Sequence, residues 1–187
     1  MSLLDGARAA LAETDPAAKC RRVDALWREV ESASVLPHDG GPVPQVGRPE
    51  RPCLVAPQSL PRRGLGSDEG RAALVHAVAH IEFNAINLGL DACLRFPGMP
   101  DAFRRDWLDV AHDEARHFRL LSDRLAALGH AYGDLPAPDG LCTMAERPAH
   151  DPLVRMALVP RVLEARGLDV TPGMIERLQR AGDHATV

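Results

Sequence analysis

The sequence predicts an all-α protein, and three observations carry that expectation. Apolar residues recur at three- and four-residue intervals over several long stretches. Those stretches open on Ser, Asp or Asp-Pro and close on Gly or Pro, the residues that start and stop helices. No segment alternates apolar and polar side chains at the period of a strand.

Taken in order, Ser2 can cap a short helix over about 3–13. Asp15-Pro16 is a second start, an N-cap followed by proline at the first helical position. The segment behind it places Val23, Leu26, Trp27 and Val30 at helical spacing, so residues 1–33 read as a helical hairpin. Residues 34–66 hold seven prolines along with several glycines, and no period survives such a density of breakers. This is an extended segment, long enough for its surroundings to matter to function. Ser67 opens the strongest helix, over about 68–95, with Asp68 and Glu69 in the first turn where the helix dipole favours acids. Pro97-Gly98 and Pro100 end it. A second long helix spans about 101–128 and stops at Gly129. A third is expected over about 141–166, with a break near Pro148. A short one starts at Thr171-Pro172 and stops at Gly182. Residues 67–187 thus form one helical part.

Bulk properties narrow the function classes. A net charge of −4 gives no basic field for nucleic acid, and the paired Arg62-Arg63 and Arg104-Arg105 are too short to supply one. No apolar run is long enough to span a membrane, and the N-terminus lacks a basic signal region. Four separated cysteines, Cys20, Cys53, Cys93 and Cys142, form no C-x-x-C pair and fit reduced thiols, so a cytoplasmic location is expected. The chain contains a single lysine, Lys19.

The chemistry lies in the stripes. On the helix from 68, Val75, Val78, Glu82, Ile86, Gly89 and Cys93 step by three and four. On the next, Phe103, Trp107, Val110, Glu114, His117, Leu121, Leu125 and Leu128 do the same, and Glu114 and His117 are neighbours at i, i+3. On the third, Leu153, Ala157, Pro160 and Glu164 line up, which turns Arg155, Arg161 and Arg166 elsewhere. Three inward carboxylates repel one another and resist desolvation; a bound cation removes both objections. Four-helix carboxylate proteins hold two metals with one Glu from each of two helices and Glu-x-x-His from each of the other two. Glu114-Ala-Arg-His117 is one such pair, with Glu82 and Glu164 as the lone acids. The competing reading is surface ion pairing, Glu114 with Arg116 or Arg119 and Glu164 with Arg161. His76 and His80 read as core hydrogen-bonders, and His112 as a surface or supporting group. Asp113 could orient His117 across one turn, and Glu146 and His150 flank a turn at Pro148.

The runs GRPERP, LPRRGLGSDEGRAALVHAVAHIEFNAINLGLDACLRFPGMP, DWLDVAHDEARHFRLLSDRLAALGHAYGDLPAPDGL and MALVPRVLEARGLDVTPGMIERL carry a resemblance across nearly the whole chain. They resemble a bacterial ferritin-like family of unknown function, itself similar to diiron-carboxylate enzymes such as the tRNA hydroxylase acting on a modified adenosine. The resemblance implies a ferritin-like helical bundle with Glu82, Glu114, His117 and Glu164 on the metal. It implies iron, two ions if the site is complete, or manganese, since these ligands suit both. It further implies a fourth core helix with a second Glu-x-x-His. These 187 residues contain no second such motif, so the expectation is a partial bundle, with the fourth helix either truncated in this polypeptide or lying outside this sequence. Completing the site would then take ligands from elsewhere, and a homo-oligomer is expected. The leading functional expectation is a diiron-type oxidase or oxygenase acting on a small-molecule substrate that the sequence does not name. The alternatives are an iron-binding or storage protein without turnover, and a metal-free helical interaction module.

Overall fold

The computed structural model describes residues 3–32, 41–61, 63–139, 151–158 and 160–187; the side chains of residues 157–166 and 168 fall outside the description. The described residues are mainly helical. The helices are α1 (Leu3–Ala12), α2 (Pro16–Ser32), α3 (Asp68–Arg95), α4 (Asp101–Ala127), α5 (Pro152–Leu158) and α6 (Pro160–Arg180). A single 3-10 turn covers Pro57–Ser59. Two two-residue strands, β1 (Leu54–Val55) and β2 (Ala137–Pro138), pair in parallel with Leu54 opposite Ala137. A pairing this short leaves no period in the sequence, which is why none was expected. The expected helix over 141–150, and with it Cys142, Glu146 and His150, lies outside the described residues.

The chain divides into two compact units, residues 1–50 with 79–120, and residues 51–78 with 121–187. The first holds α1, α2, most of α3 and most of α4. Asp15 accepts a hydrogen bond from the Ala18 amide at 2.6 Å and starts α2 as an N-cap. Leu4, Ala7, Ala10 and Leu11 of α1 and Cys20, Val23, Leu26 and Val30 of α2 are buried. A Cβ placed on Gly6 would lie 3.3 Å from Leu26 Cδ1, so the two helices approach closely there. α3 and α4 run antiparallel: Phe83 meets Phe118 (ring centroids 5.5 Å apart), and Phe96 meets Phe103 at 6.2 Å. Between those levels a Cβ on Gly89 would come within 2.8 Å of the Trp107 carbonyl oxygen, so only glycine permits this spacing.

In the second unit, His76 is buried and accepts a hydrogen bond from the Gly133 amide at 2.9 Å, while its ring stacks on Tyr132. Arg124 donates to Asp183 at 2.7 Å and to the Thr186 hydroxyl at 2.7 Å, which ties residues 183–187 to the end of α4. Two expectations fail here. No helix starts at Thr171, because α6 runs unbroken through Pro172. Proline removes one backbone donor, and the Thr171 hydroxyl supplies a local bond to the Gly167 carbonyl at 2.7 Å. The stripe expected from Leu153 also fails: Leu153 is 78% exposed and Arg155 is buried. Asp151 accepts from the Val154 amide and caps α5, which places Leu153 in a first turn facing solvent. Among the described residues, no helix is long and apolar enough to cross a membrane.

Candidate metal centre

The buried face of α3 is Ala72, Val75, His76, Ala79, His80, Phe83, Ile86, Asn87, Leu90 and Cys93; on α4 it is Arg104, Leu108, Ala111, Ala115, Phe118 and Leu125. Both lie one position away from parts of the expected stripes. The helices approach most closely where Gly89 faces Ala111, and Ala79, Ala111 and Ala115 are buried while the larger Val78 and Val110 are only partly so. Glu82, Glu114 and His117 sit on the flank of this face. They are half-buried rather than central, with side chains 19%, 21% and 41% exposed.

The three nevertheless converge. His117 Nδ1 lies 3.0 Å from Glu114 Oε2 and 3.8 Å from Glu82 Oε2. One ligand atom from each residue falls within 4.8 Å of the others, and this is the cluster of metal-binding type found among the described residues. Burial drives the Glu82 carboxyl up to about 9, helped by a hydrogen bond to Glu114 and by that neighbour's negative charge. The two acids therefore hold a proton between them in the absence of a cation.

The two arginines beside this cluster do not pair with its acids. Arg119 makes a two-pronged bond to Asp24 at 2.9 and 3.1 Å, and Arg116 lies 3.7 Å from Asp113. Among the described residues, His117 is the basic group within salt-bridge range of Glu82 and Glu114. Asp113 does not orient His117 here, since its carboxylate faces Arg116. His112 stacks on Trp27 at 4.3 Å and approaches Asp24 at 3.4 Å, a bracing role between α2 and α4. Glu164 lies on α6, but its side chain is outside the described residues.

The donor set fits a divalent cation of oxygen and nitrogen preference. Metal bonds of about 2.1 Å at right angles place ligand atoms about 3.0 Å apart. The 3.0 and 3.8 Å separations therefore suit adjacent positions around one ion with little movement.

Reading along the sequence gave Lys19 and Asn87 no role and took Arg116 only as an ion-pair partner for Glu114. Lys19 is fully buried and donates to Leu11 O at 2.9 Å, Gly47 O at 3.2 Å and Asn87 Oδ1 at 2.5 Å. Its signal was available: position 19 is in phase with Val23, Leu26 and Val30. Burial lowers its ammonium to about 8. Gly47 is pressed against the end of α1, where its amide donates to the Leu11 carbonyl at 2.8 Å and a Cβ would lie 2.2 Å from the Ala12 carbonyl oxygen.

Comparison with known proteins places these residues in a family. The family described as "Protein of unknown function (DUF455)" matches residues 12–187. The chain belongs to this family. A relative in Haemophilus influenzae (strain ATCC 51907 / DSM 11121 / KW20 / Rd), named "Uncharacterized protein", is 47% identical over 191 residues, covering 95% of this chain. The chain spans 66% of the length of that relative. No solved structure matches the chain.

Proposed function

We propose that this member of the family is a metal-binding protein of the ferritin-like, diiron-carboxylate type, acting as an oxidase or oxygenase on a small molecule. Glu82, Glu114 and His117 hold the metal in this reading, with Glu164 as a further ligand. The observation that supports it is the convergence of two carboxylates and one imidazole nitrogen within 4.8 Å, with no arginine on either acid among the described residues. Two half-buried acids this close resist ionising together, and a bound cation can take the place of the proton they otherwise share. Iron or manganese, when bound, supplies the redox chemistry with dioxygen that these side chains lack. The chain's own part is to set ligand geometry, to give up the proton between Glu82 and Glu114, and to limit water at the flank of α3 and α4. Further ligands, and self-association that would bring them, belong to the same proposal.

The test is metal analysis of protein expressed in iron- or manganese-replete medium, with Glu114→Ala alongside. Retained metal in the parent and its loss in the variant support the reading. A parent that retains none, with a variant of equal stability, overturns it. Iron uptake without substrate oxidation would move the protein to a storage role. The 3.0 Å bond between His117 and Glu114 keeps a second reading in play, a helical interaction module in which the cluster is satisfied without metal. That reading predicts no change in thermal stability on adding Fe²⁺ or Mn²⁺.

A further inference from the structure

Both ring nitrogens of His117 meet a partner, and the two partners demand one tautomer. Nδ1 lies 3.0 Å from Glu114 Oε2, and Nε2 lies 3.1 Å from Arg116 Nη2. A guanidinium can only donate. Nε2 is therefore the acceptor, and the ring proton resides on Nδ1, which donates it to Glu114. A doubly protonated ring would set two like charges 3.1 Å apart.

Nδ1 is also the nitrogen that faces both acids, at 3.0 and 3.8 Å, so it is the one available to a metal. A metal takes a bare lone pair, so the Nδ1 proton must go. For a neutral ring the proton then sits on Nε2, and an N–H there cannot stand against an N–H of Arg116. Metal-bound histidines ordinarily donate from the second nitrogen to a carboxylate or carbonyl. Arg116 has the opposite polarity for that place. Its side chain is 53% exposed and only 3.7 Å from Asp113, so it can swing aside without disturbing the core. Asp113 is four residues before His117 and hence one turn away on the same face.

We propose that Arg116 is a positioning residue that holds His117 in the tautomer unable to bind metal, and that loading the site requires Arg116 to leave Nε2 and Asp113 to take its place as acceptor. In this step Nδ1 loses a proton to solvent and Nε2 gains one from solvent. The ring is neutral before and after, and no redox change is involved. The proposal rests on the metal reading above.

Two measurements on the full chain test it. Nitrogen-15 NMR of the metal-free parent should show the His117 ring proton on Nδ1; a proton on Nε2 overturns the proposal. Titration with Mn²⁺ should show Arg116→Ala binding about fivefold more tightly than the parent, the worth of one modest hydrogen bond. Arg116→Lys, which keeps a cationic donor, should stay near the parent. The gain should persist at about 0.5 M salt, where the loss of one exposed charge is screened and contributes little. Equal or weaker binding by Arg116→Ala, with Mn²⁺ still taken up by both chains, overturns the arginine cap and leaves the metal reading standing. No Mn²⁺ in either chain overturns both.

Discussion

Lys19 and the Glu82–Glu114 pair are charges drawn away from water within the same compact unit, yet the protein treats them in opposite ways. The lysine is enclosed completely, and three oxygens from three parts of the chain receive its three protons: the end of α1, the segment at Gly47, and Asn87 of α3. Asn87 is itself held, donating to the Phe83 carbonyl at 3.0 Å. Nothing further is needed there. The acids on the flank of α3 and α4 have one imidazole between them and remain partly open to solvent. A charge serving the fold is resolved by the fold; a charge left half-resolved at an accessible edge points to a partner from outside.

Four measurements test that contrast. The largest effect is expected from Lys19→Met, which keeps length but leaves three buried oxygens without their donor. Urea denaturation should show a loss of about 3 kcal/mol; a loss under about 0.5 kcal/mol would mean the staple is dispensable. Next, Glu114→Ala should weaken Mn²⁺ binding at least about 100-fold, seen by calorimetry, since a ligand should matter no less than the groups behind it. Unchanged affinity would detach this acid from the metal.

Third comes a pH dependence with a fixed sign. In the unfolded chain the Glu82 carboxyl ionises near 4.5, whereas in the folded, metal-free chain it holds its proton up to about 9. Between those values the folded state binds more protons, so the stability of the metal-free protein falls as pH rises. Glu82→Gln removes this term. At pH 8 it should raise metal-free stability by about 1 kcal/mol while abolishing metal uptake, and the two chains should converge near pH 4.5. Parallel curves from pH 5 to 8 would refute the shared-proton account. The smallest effect is assigned to Trp27→Phe, which keeps an aromatic ring against His112 but loses the 2.7 Å bond from the indole to Asp109. About 0.5 kcal/mol should be lost, and metal affinity should not move.

How much of this was legible beforehand depended on whether the signal was local. The limits of α1 to α4 followed from Asp15-Pro16, Asp68-Glu69, Pro97 and Gly129, and Gly129 takes the left-handed conformation (φ 78°) that a helix stop of this kind requires. The acid-and-imidazole cluster was legible because i, i+3 spacing on α4 is also local. Its depth was not. Hydropathy ranks valine above alanine, but the closest approach of α3 and α4 selects for small size, at Gly89 and Ala111, and turns the apparent stripe toward the flank. The role of Lys19 depends on Gly47 and Asn87, 28 and 68 residues away, which no window along the chain could join. Two local signals misled: Asp151 caps α5 and leaves Leu153 in an exposed first turn, and α6 continues through Pro172, which the sequence read as a helix start.

The seclusion of Lys19 has a practical corollary. Since the sequence has no other lysine, the folded surface offers acylating reagents, amine cross-linkers and glycating sugars no ε-amino group to attack. Modification of that nitrogen has to wait for an opening that parts it from Leu11, Gly47 and Asn87. Its rate of labelling, followed by mass spectrometry, therefore serves as a clock for one local opening event, read without mutating a residue or attaching a probe.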